Sequence, residues 1–438
     1  MRRRRRDIPR PYDRDILALA VPALGALAAD PLVSLVDTAF VGRLGAEALG
    51  ALGVNSAVFA LVFFLFNFLA YGTTPLVGRA VGAGRPEAAG RIVTQALALA
   101  VAIGVAVLVV LELLTGPILA MMGAGPELQA PAASYLRIRA LAAPAVLVVM
   151  VGHGAFRGFQ DTRTPLLATL GLNLVNLVLD PVLIFGLGWG IAGAAWATAV
   201  AQWAGALWIF MLLARLTHLA WAELRLQSLL PFLRVGGELT VRTLSLLGTL
   251  TLATAVAARV GTVAVAGHQV AAQLWTFLAL VVDALAIAAQ ALVARYLGSG
   301  EPEVARQAAD RMLQWGLLLG LGLGVTFWLL RGVLAGVFTD DPEVQAAVAG
   351  VLPFVAVMQP INAAVFVWDG IFLGSGEFRF LAKAMIASSV AAAAVLLLVL
   401  PLGLGLAGVW WGMVTLMVVR GMTLSLRYRS SRGVLSPG

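Results

Sequence analysis

Residues 77–89 read VGRAVGAGRPEAA, and residues 293–305 read VARYLGSGEPEVA. The two stretches agree at seven of thirteen positions and lie 216 residues apart. Glycines and a Pro-Glu pair dominate what they share, which is the composition of a turn that closes one helix and opens the next. The same offset pairs PELQA (126–130) with PEVQA (342–346), and Gly154, Phe156, Gly158 and Arg163 with Gly370, Phe372, Gly374 and Arg379. Further on, LGWGIAGAAW (187–196) pairs with LGLGLAGVWW (402–411) at an offset of 215. The chain is therefore written twice.

What is repeated follows from composition. Of 438 residues, 61% are hydrophobic and 12% are charged, and mean hydropathy is +0.95. A soluble domain carries about 25% charged residues. Apolar runs of about 20 residues, each long enough to cross a bilayer as a helix, recur from end to end. Twelve spans are expected, near 14–38, 48–78, 92–114, 131–156, 164–186, 190–214, 231–257, 263–296, 307–336, 346–373, 380–400 and 406–426. The fold class is an all-α polytopic membrane protein of two six-helix repeats. Because six is even, both repeats share one orientation, a plan common among secondary transporters with a site near the bilayer midplane.

Basic residues orient the spans. With the N-terminus inside, all of the 30 Lys and Arg residues except Arg43, Arg137, Arg139, Arg242, Arg259 and Arg331 fall in the N-terminal arm, inner loops or tail. The reverse orientation would oppose the positive-inside rule, so both termini are expected in the cytoplasm. The segments are then a basic arm (1–13), an N-lobe (14–214), a linker (215–230), a C-lobe (231–426) and a tail (427–438). The arm MRRRRRDIPRPYDR reads as a retained anchor, since no small-residue cleavage site follows it. The net charge of +8 belongs to juxtamembrane loops and does not indicate nucleic acid.

Several classes are excluded. Cysteine is absent, which removes disulfide and thiolate chemistry. The sole lysine, Lys383, follows Ala382, so no GK[ST] phosphate loop exists. No HExxH or GxSxG occurs and only three histidines are present, so neither a catalytic metal nor a serine nucleophile has its parts. No enzyme activity, cofactor or structural metal is expected. His153 and His268 read as packed core residues.

Carboxylates inside the spans carry the functional signal. DPLVSLVDTAFVGRLG (30–45) places Asp30 and Asp37 two turns apart on one helix face, with Ser34 between them. NLVNLVLDP (173–181) aligns Asn173, Asn176 and Asp180 in one stripe, and Thr198 and Gln202 form another i, i+4 pair. Intramembrane acids are costly and are by default functional, and carboxylate, amide and hydroxyl oxygens suit H⁺ or hard cations such as Na⁺. Lone Thr or Asn residues are more simply interhelical glue. None of these carboxylates obeys the repeat, since Asp37 maps to Ala253, while Asp283 and Asp369 map to Asn67 and His153. Asp283 and Asp369 are lone acids of the C-lobe and secondary candidates, as is Asp30. Glu238 and Arg242, at i, i+4, are expected to neutralise each other.

DPLVSLVDTAFVGRLGAEALGALG, NLVNLVLDP, AGHQVAAQLWTFLALVVDALAIAAQALVARYLGSG and VWDGIFLGSGEFR together resemble the multidrug and toxic compound extrusion (MATE) family, in its DinF-like branch, over roughly residues 14–426. The resemblance implies two six-helix lobes about a central cavity and cation-coupled export of small organic compounds from the cell. It also implies a first-lobe H⁺ or Na⁺ site at Asp37, Asn176, Asp180 and Thr198. A lipid-linked oligosaccharide flippase or metabolite exporter of the same superfamily is the alternative. A flippase is expected to show a strongly cationic cavity, whereas Arg242 is the one basic residue read as lying deep in a span. The expected setting is the plasma membrane of a bacterium, with the lipid bilayer and small organic substrates as partners and the monomer as the working unit.

Overall fold

The structure is a computed structural model that describes residues 11–224 and 229–430. Most of the basic arm, part of the expected linker and the end of the tail lie outside the described residues. All regular elements among the described residues are helical, because only a backbone that satisfies its own hydrogen bonds, or a closed barrel, can cross hydrocarbon. In chain order they are α1 (Pro11–Gly42), α2 (Ala46–Leu65), α3 (Phe68–Gly82), α4 (Pro86–Leu113), α5 (Thr115–Met121), α6 (Pro126–Ala140), α7 (Ala143–Gly158) and α8 (Arg163–Pro181). There follow α9 (Gly190–Leu216), α10 (Leu230–Val260), α11 (Thr262–Gly298), α12 (Pro302–Phe338), α13 (Pro342–Gly374), α14 (Phe378–Leu398) and α15 (Gly405–Arg429). Eleven stretches are long and apolar enough to span a membrane, and the bent pair α6–α7 makes a twelfth.

The repeat is visible in the backbone. Helices α2–α3 and α11 begin at Ala46 and Thr262 and end at Gly82 and Gly298. Both α4 and α12 open on a proline (Pro86, Pro302), as do α6 and α13 (Pro126, Pro342). That position suits proline, whose missing N–H would be unpaired there in any case. Left-handed backbone recurs in step at Gly45 and Gly261, Gly84 and Gly300, and Gly188 and Gly403. At one such place the first repeat has Gln160 (φ 64) where the second has Gly376 (φ 77).

The repeats differ in continuity. Three long helices of the second repeat, α11, α12 and α13, are each broken in the first, at Phe66–Asn67, Leu114 and Leu141–Ala142. The last break bends the chain by 49°. A carbonyl released there is satisfied locally, for the Trp203 indole donates to the Leu141 carbonyl at 3.2 Å. After Pro181, which cannot donate to the ladder, α8 widens into a π-helical turn over Val182–Gly186.

By compactness the chain divides into two units, Gly25–Thr240 and a second made of the first residues to Leu24 with Val241–Gly438. The leading turns of α1 thus belong to the second unit. There Asp13 accepts two bonds from Arg311 (2.7 and 2.9 Å) and one from the Trp315 indole (2.9 Å). The leading turns of α10 belong to the first unit, where Gly236 lies against the Phe68 ring. Within each unit one close helix contact is duplicated. A Cβ on Gly154 of α7 would stand 2.6 Å from the Ala70 carbonyl oxygen of α3, and one on Gly370 of α13 would stand 2.2 Å from the Ala286 carbonyl oxygen of α11. Small residues let membrane helices approach until their backbones touch.

Candidate functional site

The first unit holds a cavity of about 420 Å³ lined by residues of α1, α2, α6, α7, α8 and α9. Asp30, Asp37, Asn173, Asn176, Thr198 and Gln202 all reach its wall, so the polar faces expected on three helices converge. Apolar residues including Leu52, Phe59, Phe63 and Met150 complete it. His153, expected in the core, also lies on this wall. His268 is buried in the second unit, 3.3 Å from the Thr254 hydroxyl.

Asp180 is 1% exposed and lies near Asp37, each carboxyl bearing electrostatically on the other. Neither oxygen of Asp180 has a hydrogen-bond donor, and neither does Asp37 Oδ1. Asn176 donates to the Thr198 hydroxyl at 3.3 Å, and that hydroxyl donates to the Ala194 carbonyl at 3.0 Å. With its donor group so engaged, the Asn176 amide turns its oxygen to other partners. The set offers oxygen acceptors beside two carboxyls, an arrangement suited to a proton or a hard cation. Asp30 stands apart from it and accepts from Asn173 Nδ2 at 3.1 Å.

Two residues of the site escaped sequence reasoning. Tyr135 and Arg139 of α6 face the same cavity, and Arg139 bears electrostatically on both Asp37 and Asp180. The positive-inside count sets Arg139 only among its exceptions and gives it no role at a site. Its i, i+4 spacing from Tyr135 was a usable signal, because the second repeat has Val351 and Val355 at the matching places.

The C-lobe candidates have another environment. Asp369 is 4% exposed and accepts at one oxygen, Oδ2, from both Arg420 and Arg242, the latter at 2.7 Å. Asp283 adds a second negative charge near Arg420. Two corrections follow. Arg242 finds its ion-pair partner in Asp369, 127 residues away, and Glu238 lies with Arg234 at 3.8 Å. Arg420, which the positive-inside count placed with the tail, is buried in α15 and is a second deep arginine. A carboxylate already bound by two guanidiniums has little to offer a cation. Both arginines are likewise committed to Asp369, which differs from the cationic cavity a flippase would need.

The comparisons with known proteins agree with this architecture. The family model MatE matches residues 22–182 and 240–398, one block in each repeat. The chain is 39% identical over 422 residues to Protein DETOXIFICATION 44, chloroplastic, of Arabidopsis thaliana, covering 93% of this chain and 80% of that protein. It is 27% identical to DNA damage-inducible protein F of Escherichia coli over 95% of this chain and 92% of the relative. In fold it matches the Vibrio cholerae MATE transporter VcmN in its bent form, with a TM-score of 0.87, 23% identity and 96% of each chain covered. Twelve apolar spans, a repeat that each half of the family match covers, and relatives aligned nearly end to end lead to one conclusion: this multi-pass membrane protein is no enzyme but belongs to the MATE family of multidrug and toxic compound efflux transporters.

Proposed function

We propose that the chain is a cation-coupled antiporter that moves amphipathic or cationic organic compounds out of the cell by alternating access. Entry of H⁺ or Na⁺ at Asp37, Asn176, Asp180 and Thr198 drives the cycle. The single observation that carries this reading is the pair of neighbouring carboxyls, Asp37 at the wall of a 420 Å³ cavity and Asp180 buried beside it, whose buried oxygens have no donor among the described residues. Buried polar atoms are nearly always hydrogen-bonded, so such oxygens are poised for a transient partner. The apolar and aromatic lining beside them suits an amphipathic substrate. Names of relatives support export, including the Probable multidrug resistance protein NorM of Rhizobium meliloti at 28% identity. The proposed setting is a bacterial plasma membrane with both termini cytoplasmic, the working unit the monomer.

The test is drug efflux from vesicles under an imposed pH gradient and, separately, an imposed sodium gradient. Asp37→Asn keeps the shape of the side chain and removes its charge. It should abolish gradient-driven efflux while leaving the protein folded, whereas Asp30→Asn should weaken efflux less, because Asp30 stands outside that pair. Retained coupling in Asp37→Asn with lost coupling in Asp30→Asn would move the site to the wrong end of the cavity for this proposal.

A further inference from the structure

Arg139 gives the cavity a charge that the carboxylates alone do not predict. It is half-buried on α6, its guanidinium 5.1 Å from the centre of the Phe59 ring. Tyr135, one turn earlier on α6, lines the same wall. The Phe59 ring holds the cation at the cavity wall, since an arginine over an aromatic face is attracted by the ring's negative quadrupole. From there its charge reaches both Asp37 and Asp180, while no ion pair within 4.0 Å joins it to either among the described residues. The guanidinium is near enough to act on the carboxyls but does not cover their oxygens. Asp180 is 1% exposed and, among the described residues, neither of its oxygens has a donor, so the carboxyls keep acceptor capacity that Arg139 does not take up.

We propose that Arg139 is the built-in counter-charge of the coupling site, holding its formal charge at −1 so that it accepts one monovalent cation and excludes divalent ones. This inference rests on the coupling role proposed above for Asp37 and Asp180. Two carboxylates and one guanidinium sum to a single negative charge, which one H⁺ or one Na⁺ neutralises. Without Arg139, the same oxygens would form a site of charge −2, flanked by the Asn176 amide and the Thr198 hydroxyl. That is the hard, oxygen-rich and doubly negative environment a calcium ion favours. Asp30, bonded to Asn173 two turns along α1, does not enter the balance. In the second repeat the matching residues are Ala253, Val351 and Val355, so carboxylate, tyrosine and arginine are absent together, as expected of parts of one device.

The experiment is equilibrium binding of radiolabelled calcium to purified protein in detergent at mildly alkaline pH, alongside sodium- and pH-dependent thermal shifts. Wild type should show a sodium- or pH-dependent shift that Asp37→Asn removes, and no calcium binding. Arg139→Gln should bind calcium at least about tenfold more tightly than the weakest binding the assay detects, as expected from deleting one nearby positive charge at an intermediate dielectric. Adding Asp37→Asn to it should abolish that binding, and Arg139→Lys should exclude calcium again. Arg139→Met keeps the apolar stem over Phe59 and serves the same purpose should the glutamine variant not fold. Calcium binding by wild type that Asp37→Asn removes would overturn the inference, as would folded Arg139→Gln or Arg139→Met that bind no calcium. A wild type with no cation response removed by Asp37→Asn would instead overturn the coupling reading itself.

Discussion

Replacing Gly370 with alanine is a direct measure of how tightly α11 and α13 are packed. An alanine Cβ there would stand 2.2 Å from the Ala286 carbonyl oxygen and 2.9 Å from the carbonyl carbon and Cα of the same residue. All three are backbone atoms, so no rotamer change relieves the clash. The two helices must separate by about 1 Å to restore van der Waals distance, which also loosens the dispersion contacts on either side. One added methyl in a packed interior costs about 1–3 kcal/mol, and a backbone clash this deep belongs near the upper end. Alanine returns about 0.5–1 kcal/mol as the better helix former, leaving a net loss of about 2 kcal/mol. Gly322 of α12 is the control, because a Cβ there meets nothing within 4 Å. Gly322→Ala should therefore gain about 0.5–1 kcal/mol. Gly154→Ala, with its 2.6 Å approach to Ala70, should fall between them. Unfolding of the purified proteins in one detergent, by heat or denaturant, should rank them Gly322→Ala, wild type, Gly154→Ala, Gly370→Ala. Equal stability of Gly370→Ala and Gly322→Ala would refute the claim that backbone contact at this glycine holds the helices together.

Gln160→Gly should stabilise the protein by about 1 kcal/mol, because Gln160 holds φ at 64 where the second repeat has a glycine; an unfolding curve that moves the other way would count against it. Asp369→Ala should cost about 3–5 kcal/mol by leaving Arg242 and Arg420 as uncompensated buried charges. Replacing all three residues with apolar ones should recover most of that loss, and a single variant as stable as wild type would show that the cluster is not structurally important. Single cysteines in place of Arg85 and Glu301, exposed residues in matching turns, should resist an impermeant thiol reagent in intact cells. The natural chain has no cysteine to confuse the readout, and labelling of either from outside would contradict the parallel orientation of the repeats.

The membrane class, the twelve spans and the repeat are legible in the amino-acid order alone. Apolar length is a local quantity, and the turns between spans are marked by Gly84, Gly300, Pro86 and Pro302, whose backbone demands are equally local. The same order also singles out Asp37, Asn176, Asp180 and Thr198, because a carboxylate inside an apolar run is conspicuous wherever it occurs. Which charges meet depends on how the helices pack. Arg242, Asp369 and Arg420 come from three helices and share one carboxylate oxygen, and no helical period could have joined residues so far apart. In the sequence Arg139 is merely an exception to the positive-inside count, whereas the packing of α6 places it on the cavity wall beside Tyr135. The helix breaks at Phe66–Asn67, Leu114 and Leu141–Ala142 were likewise unreadable. What makes a break tolerable is a partner such as the Trp203 indole, supplied from another helix.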